Sequence, residues 1–225
     1  MRYPIGTRWI LTLVLVLSSS AALAATTHAD AAKEVAAAGK TLDNFMADPD
    51  MSWFREHAKE AKGLMICSKV VKAGFVFGGS GGRCVLVVKD EKGWHGPAFY
   101  ATGTASAGFQ AGVQESEIIG LLMTQKVIDA LMSSEFKLSG NASVAAGPVG
   151  AGAAATPSAD IVYYSRSKGL YGGVDISGAV IKPSADYNKA YYGKAVSPID
   201  IIVKGTAHTK ESSPFVAKVS KLYGK

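Results

Sequence analysis

Apolar side chains recur at helical spacing in two segments of the first third of the chain. In residues 30–46 they form one face of a predicted amphipathic helix, which Pro49 ends. That face consists of Val35, Ala38, Leu42, Phe45 and Met46. A second, shorter helix is predicted for residues 53–61, because its apolar residues share one face and Gly63 is placed for a C-terminal cap.

From residue 64 onward, short runs of Val, Ile, Leu, Phe and Tyr replace the helical spacing and are typical of β-strands. The predicted strands comprise residues 64–68, 74–77, 84–89, 98–102, 109–114, 118–123, 137–145, 160–164, 174–181 and 200–203. One further helix is predicted to start after Thr124 and another to cover residues 214–223. Residues 147–157, rich in Gly, Ala and Pro, are typical of a loop.

Glycine is concentrated among these strands, since 19 of the 25 glycines lie between Gly74 and Gly178. Glycine weakens a strand interior, so its repeated use indicates bulges, tight bends or close backbone approach. Strands joined mostly by short turns favour antiparallel pairing. We therefore expect an α+β fold, with a strongly curved, mainly antiparallel sheet or small barrel and a few covering helices.

Residues 1–24 have the pattern of a secretory signal peptide. Arg2 and Arg8 precede an apolar run over residues 9–17, and Ala22-Leu23-Ala24 is typical of a cleavage site. The run is far shorter than the roughly 20 residues that span a bilayer, and the lack of a cysteine near the cleavage point argues against a lipoprotein. We expect residues 25–225 to form a single domain exported to a bacterial periplasm or secreted.

The positive charge of the chain lies near its C-terminus. Without residues 1–24 the chain has 22 basic and 18 acidic residues, because the two arginines are removed from 24 Lys and Arg. Residues 182–225 contain eight lysines and three acidic residues, a net charge of +5. Such a basic segment can attract an anionic membrane or nucleic acid. Export argues against nucleic acid as the partner, and solvated lysines are the alternative interpretation.

The two cysteines, Cys67 and Cys84, lie in strands predicted to be neighbours. In an oxidising compartment they can form a disulfide, and as free thiols they would be small core residues. Both interpretations remain open at this point. Their spacing does not match a zinc site, no histidine pair has metal-ligand spacing, and no phosphate-binding loop lies between a strand and a helix. We therefore expect no metal and no cofactor.

One segment satisfies a catalytic pattern. Gly78-Gly79-Ser80-Gly81-Gly82 matches the G-x-S-x-G elbow of serine hydrolases, which requires a strand before the serine and a helix after it. Here residues 84–89 continue as a strand, so we place Ser80 in a glycine-rich hairpin turn. His57, His95 and His208 are the histidines available to it in the mature domain. His28 falls in a segment expected to be disordered. The pattern favours a non-enzymatic protein.

A second segment has the composition of an anion site. Ser165-Arg166-Ser167-Lys168-Gly169 combines two cations and two hydroxyls before a glycine that permits a tight turn. Arginine can bind phosphate through two hydrogen bonds, which serine and backbone N–H groups can complete. The alternative is a solvated polar turn.

Seven ordered blocks in this chain resemble the SYLF domain family. The blocks are Ala61-Lys62-Gly63-Leu64, Val71-Lys72-Ala73-Gly74-Phe75, Pro97-Ala98-Phe99-Tyr100, Gly108-Phe109-Gln110-Ala111-Gly112, Ser143-Val144-Ala145-Ala146-Gly147-Pro148, residues 165–173 and Ala190-Tyr191-Tyr192-Gly193. The resemblance covers roughly residues 30–222. It implies phospholipid binding, with phosphoinositides preferred in eukaryotic members and an N-terminal amphipathic helix in membrane contact, and it implies no enzyme. Eukaryotic relatives also bind actin, which we consider an improbable partner for an exported bacterial chain.

Our leading hypothesis is a phospholipid-binding domain of the bacterial cell envelope that contacts anionic headgroups as a peripheral membrane protein. The predicted contact residues are basic or aromatic: Trp53, Phe54, Lys59, Lys62, Lys69, Lys72, Arg166 and Lys168. The cations would bind headgroups and the two aromatic rings would insert at the interface. The alternative is an envelope structural or protein-interaction module whose lipid association is incidental.

Overall fold

The computed structural model describes residues 25–74, 77–107, 112–150, 158–167, 170–171, 176 and 178–224. Its helices are α1 (His28–Ala47), α2 (Ser52–His57), α3 (Gln125–Leu131), α4 (Ala185–Tyr192) and α5 (Ser212–Tyr223), with short 3₁₀ turns at Pro49–Met51 and Ala58–Glu60 and a π-helical turn at Ile199–Val203. Its strands are β1 (Gly63–Gly74), β2 (Phe77–Asp90), β3 (Gly93–Ala107), β4 (Gly112–Leu122), β5 (Phe136–Lys137), β6 (Val144–Ala146), β7 (Ile161–Ser167), β8 (Leu170–Tyr171) and β9 (Val180–Pro183).

These strands form one curled sheet in the order β5-β9-β3-β2-β1-β4-β7-β6, and β8 pairs with β7. Only the β6–β7 pair is parallel among the strands described. The sheet makes a half-barrel with helices packed against it. The predicted α+β fold with a strongly curved, mainly antiparallel sheet is therefore confirmed.

Alternation along the strands assigns the two faces of the sheet. Leu64 and Ile66 of β1 are buried on the face that α1, α2, α4 and α5 cover, which we call the helix face. Met65 lies on the opposite face together with Tyr100 of β3, whose hydroxyl donates to the Leu131 carbonyl at the end of α3. Both faces are thus covered, which explains why β1 begins as a continuous apolar run rather than an alternating one.

The first predicted strand is part of a longer one, because residues 64–68 lie within β1, which continues to Gly74. Of the predicted strand over residues 74–77, Gly74 ends β1, Phe77 begins β2 and residues 75–76 are outside the described residues; β2 then includes Gly78–Gly82. The hydrogen bonds between strands join only backbone groups, which glycine also has. Glycine can therefore remain in a strand that pairs with a neighbour on each side. The bulge implied by the glycine content lies instead in β1 near Cys67, where the register with both neighbours shifts.

Other predictions for the second half of the chain were wrong. Residues 137–145 do not form one strand, because a turn separates β5 from β6. Residues 200–203 are helical, not extended. Of the predicted strand over residues 174–181, only the last two residues lie in β9, and residues 174–175 and 177 are outside the described residues. Apolar runs of this length do not distinguish a strand from a buried helical turn.

A hydrogen-bonded cap fixes the start of α1 upstream of the predicted boundary. Thr27 and Asp30 form a reciprocal capping box, in which the Asp30 N–H donates to Thr27 Oγ1 and the Thr27 N–H donates to Asp30 Oδ2. His28, expected to be disordered, is therefore the first residue of the helix. Its ring stacks on Tyr191 of α4 at a centroid separation of 5.8 Å.

Cys67 and Cys84 form a disulfide between β1 and β2. Both cysteines are almost fully buried, and the bridge lies beside the bulge of β1. This decides between the two alternatives that the sequence left open. Within the described residues, no helix is both long and apolar enough to span a bilayer.

Candidate functional site

The two aromatic residues expected at a membrane interface belong to the core. Phe54 is 0% exposed and Trp53 is 4% exposed. The Phe54 ring contacts the rings of Phe45, Tyr164 and Tyr223, and Trp53 stacks on His57. Side chains without exposed area cannot insert into a bilayer, so our interpretation of these two residues is corrected: they attach α2 to the helix face of the sheet.

The side chain of Arg166 also makes its contacts within the protein rather than with solvent. Its guanidinium donates to Glu117 Oε2 from Nε and Nη2 and lies over the ring of Phe45. Glu117 Oε1 accepts a further hydrogen bond of 2.8 Å from the Thr41 hydroxyl of α1. The side chain of Arg166 is only 15% exposed. We therefore correct its assignment from headgroup contact to a positioning role that attaches α1 to β4 and β7.

Replacing Glu117 with glutamine is expected to lower the free energy of unfolding by about 2 kcal/mol. The change removes the carboxylate that accepts the hydrogen bonds of the mostly buried Arg166 guanidinium and leaves the more distant Asp48 carboxylate, 4.0 Å from Nη1. The loss is below the 3–5 kcal/mol of a fully buried pair because both groups of the pair retain some exposure. Urea denaturation followed by circular dichroism measures it. Glu115→Gln is the matched control, since the Glu115–Lys69 pair is exposed and its loss should change stability by less than about 1 kcal/mol. Equal losses in the two variants would contradict the positioning role.

The remaining predicted cations are divided between two ends of the sheet. Lys59 and Lys62 are exposed just before β1. Lys69 lies in the middle of β1 and Lys72 near its end, roughly 23 and 33 Å from Lys62 along an extended strand. Lys69 Nζ lies 2.6 Å from Glu115 Oε2, which partly neutralises it. Lys168 is outside the described residues. The structure thus does not gather the predicted cations on one surface.

Ser80 lies inside strand β2, not in a hairpin turn and not between a strand and a helix. Its Oγ is 2.8 Å from Thr104 Oγ1 on β3. The nearest polar contacts of His57 and His95 are the Trp53 carbonyl and the Asp90 carboxylate, at 2.9 and 2.7 Å. The elbow geometry is therefore missing at Ser80. Among the described residues, no group of three or more His, Cys, Asp and Glu side chains could hold a metal ion.

A different surface combines exposed aliphatic side chains with lysines. It is the connection from α4 to α5, residues 193–210, which we call the basic corner. Gly193, with φ of 69°, ends α4 in the left-handed region, where glycine has no Cβ penalty. The π-helical turn that follows buries Ile201 and Ile202 and leaves Ile199 and Val203 39% and 65% exposed.

Asp200 organises the basic corner. Its Oδ2 accepts from the Ser197 N–H and hydroxyl at 3.0 and 2.6 Å, and its Oδ1 accepts from Lys204 Nζ at 2.9 Å. The Asp200 backbone carbonyl accepts from the Thr206 N–H at 2.9 Å. The Ser197 hydroxyl first, and then Lys204, hold the pKa of Asp200 well below its usual value. The carboxylate stays ionised at neutral pH, and the turn is held in one conformation.

The basic corner has a positive excess, with three lysines against one aspartate. Lys194 Nζ donates to the Thr206 carbonyl at 3.3 Å, and Lys210 is exposed. Glu211, the next residue, lies 2.9 Å from His28 Nε2 and so faces α1. Lys204 directly follows Val203 on the turn, Lys194 contacts the backbone of Thr206, and Asp200 compensates chiefly Lys204.

An open groove of about 580 Å³ adjoins the basic corner, within the size range of small-molecule sites. It lies between the C-terminal end of α3, the start of α4 and residues 195–198. Its lining is mixed, with Met132 and Val196 beside Ser133 and Ser197. Such a lining can accept a small polar group next to an apolar contact.

Sequence reasoning missed the basic corner, although the printed sequence contains its signal. Ser197-Pro198-Ile199-Asp200 has serine at the N-cap position, proline at the first helical position and an acid two residues later, the pattern of a helix start. The following Ile-Ile-Val run favoured a strand instead. In a strand, Ile199 and Val203 would also have shared a face, but the helical turn exposes both while burying Ile201 and Ile202.

The chain is similar to known proteins over more than half of its length. A family profile described as "Ysc84: Las17-binding protein actin regulator" matches residues 103–222, which include the basic corner. "LAS seventeen-binding protein 3" of Saccharomyces cerevisiae is 38% identical over 145 residues, covering 60% of this chain and 31% of that protein. "SH3 domain-containing YSC84-like protein 1" of Homo sapiens is 30% identical over 153 residues, covering 65% of this chain and 44% of that protein.

The chain spans less than half the length of these relatives, so the comparison concerns one domain of theirs. The matched region begins within β3 and continues through β4, β7, β9 and the α4–α5 connection to the end of α5. It exceeds half of the chain. The resemblance identified from the sequence blocks is thereby confirmed, and the protein belongs to the Ysc84 family, which is characterised by the SYLF domain.

Proposed function

We propose that this protein is a non-enzymatic phospholipid-binding domain of the bacterial cell envelope, and that it contacts anionic headgroups through the basic corner. The observation that carries the proposal is the pair of exposed aliphatic side chains, Ile199 and Val203, on a helical turn within a connection that contains three lysines and one aspartate. Soluble surfaces that combine exposed apolar groups with cations suit a membrane interface. Export, supported by the pattern of residues 1–24, would bring this surface to the envelope.

The energetics suit reversible binding. Each surface cation contributes about 1 kcal/mol near an anionic bilayer, and immersing an aliphatic side chain that is already partly buried contributes about 1 kcal/mol. Three lysines and two aliphatic side chains thus give a few kcal/mol, reduced by the pairing of Lys204 with Asp200. Because the lysines are solvent-exposed, added salt should weaken the association.

A comparison with another exposed valine supports the choice of the basic corner as the membrane contact. Val113, at the start of β4, is 75% exposed. It precedes Glu115, whose carboxylate pairs with Lys69, and it stands on an extended strand rather than in a basic turn. The names of the relatives concern Las17 binding and actin regulation in those proteins. Our proposal assigns this chain a lipid surface as its partner instead.

Neutralising two lysines of the basic corner is expected to weaken liposome binding roughly 30-fold, about 1 kcal/mol for each. Lys194→Gln/Lys210→Gln is compared with Lys59→Gln/Lys62→Gln, which removes the same charge from exposed lysines just before β1. Co-sedimentation with phosphatidylglycerol liposomes, and with phosphatidylcholine liposomes as the neutral reference, measures the affinity at low and high salt.

Comparing the two double variants shows which lysines contact the liposome surface. If the Lys59/Lys62 variant loses affinity and the Lys194/Lys210 variant does not, the contact surface is the one first predicted and the basic corner is wrong. If the unmodified protein ignores anionic liposomes at low salt, the lipid proposal fails altogether. If the protein sedimented with actin filaments and not with liposomes, the actin regulation named for the relatives would extend to this chain instead.

The apolar part of the contact has its own test. Val203→Asp is expected to weaken binding to phosphatidylglycerol liposomes roughly tenfold or more, because a carboxylate resists entry into the interface and repels headgroups. Val113→Asp introduces the same charge at a comparably exposed valine on β4. An equal loss in both variants would show that net charge alone governs binding and that Val203 makes no apolar contact.

A further inference from the structure

The groove beside the basic corner offers hydrogen bonds without charge. Its volume is about 580 Å³, and it is open to solvent along one side. One of the three segments that line it, residues 195–198, is itself part of the basic corner, so the groove is continuous with that surface. The lining, within the described part of the chain, has no charged side chain and includes three serines, Ser133, Ser134 and Ser197.

Two of these serines have already used their hydroxyl protons inside the protein. The Ser133 hydroxyl donates to the carbonyls of Ala130 and Glu135, at 2.7 and 2.8 Å. The Ser197 hydroxyl donates to Asp200 Oδ2 at 2.6 Å. A hydroxyl oxygen whose proton is committed can still accept a hydrogen bond. The groove therefore favours a ligand that donates hydrogen bonds.

A phosphate group does not suit the other polar parts of the lining. The start of α4 lies in the groove at Ala185, but a carboxylate already stands there, since the Ser184 hydroxyl donates to Asp186 Oδ1 at 2.7 Å. The buried amide of Asn188 donates to the Phe99 carbonyl and accepts from the Phe99 N–H. Neither group is left to bind an anion, so the donors of the ligand have to be neutral hydroxyls or an ammonium group.

We propose that the groove binds the polyol part of an anionic phospholipid headgroup, such as the terminal glycerol of phosphatidylglycerol, while the lysines of the basic corner bind its phosphate. The hydroxyls of the polyol donate to the Oγ atoms of Ser133 and Ser197, and its carbon skeleton contacts Met132 and Val196. The three lysines and one aspartate of the adjoining corner give a net positive charge, which disfavours an ammonium group as the donor.

This inference rests on the proposed function, because it specifies the headgroup that the basic corner would bind, but the two fail in different ways. Absence of binding to every anionic liposome contradicts the proposed function. Equal binding to anionic liposomes with and without a polyol contradicts the polyol site alone.

Liposomes of phosphatidylglycerol and of phosphatidylethanol are the probes, because the two lipids carry the same charge and only the first has headgroup hydroxyls. Co-sedimentation of the unmodified protein should show roughly tenfold tighter binding to phosphatidylglycerol, since two hydrogen bonds are gained. Soluble glycerophosphoglycerol, titrated by calorimetry, tests a free diester as the source of the polyol. If it bound as tightly as the phosphatidylglycerol liposomes, the assignment to a lipid would be overturned.

Ala195→Phe is expected to reduce the tenfold preference to about one, because Ala195 is exposed in the lining and a ring placed there occupies the groove. Ser133→Ala should reduce it about threefold through the loss of one acceptor. Each preference is a ratio measured on one variant, so a general gain or loss of membrane affinity cancels. Ala36→Phe, at an exposed alanine of α1, is the control and should keep the tenfold preference.

Melting temperatures near that of the unmodified protein would show that the variants are folded. A preference near one in the unmodified protein, or an undiminished preference in both groove variants, would refute the polyol site.

Discussion

Replacing Phe54 with alanine is expected to lower the free energy of unfolding by about 3–5 kcal/mol. The side chain is fully buried, and it joins α2 to the sheet and to α5 through its contacts with Tyr164 and Tyr223. The substitution removes a whole ring from a packed site, and rigid strands around it cannot collapse into the space. The shift of the urea midpoint, followed by circular dichroism, measures the loss.

The same variant separates the two roles that Phe54 was considered for. Val113→Ala is the control, because that side chain is largely exposed and its truncation should change stability by less than about 0.5 kcal/mol. If Phe54→Ala retained its urea midpoint but lost affinity for anionic liposomes, the ring would be an interfacial contact and its assignment to the core would be wrong.

Loss of the Cys67–Cys84 disulfide is expected to destabilise the protein by about 3 kcal/mol. The bridge closes a loop with a sequence separation of 17, for which the restriction of the unfolded chain has this magnitude. Both cysteines are buried, so the double variant Cys67→Ala/Cys84→Ala also loses some packing at the bulge of β1. Thermal and urea unfolding of the protein with and without reductant measure the effect.

The double alanine variant provides the control for this experiment, because reductant should leave its unfolding midpoint unchanged. Alkylation of the denatured, unreduced protein followed by mass spectrometry should find both cysteines protected. Two alkylated cysteines, or a wild-type midpoint that is indifferent to complete reduction, would show that the bridge does not stabilise the fold.

The local patterns predicted much of the fold. The helical spacing of residues 30–46 corresponds to α1, the stripe after Thr124 corresponds to α3, and the final amphipathic segment corresponds to α5. These elements are recognisable because about two or more turns repeat one apolar face. The glycine-rich strands identified the curved antiparallel sheet, but not its register, because backbone pairing leaves little trace in such sequences.

The candidate site was predicted less well, and the reason lies in distance along the chain. The charge of Arg166 is recognisable from the sequence, but its pairing with Glu117 depends on β7 lying next to β4. Likewise, the basic C-terminal segment was recognised, whereas the exposure of Ile199 and Val203 was not. A side chain's role as ligand contact or as internal anchor depends on what covers it.

The sequence alone determined the α+β class, the amphipathic helices, the basic C-terminal segment and the resemblance to the SYLF family, since each is written in local spacing or in ordered blocks. The tertiary structure decided the pairing of Cys67 with Cys84, the burial of Phe54 and the separation of Lys59 and Lys62 from the other predicted cations. It also created the basic corner. Local periodicity specifies which face of an element is apolar, but only packing between distant segments specifies which surfaces remain open to a ligand.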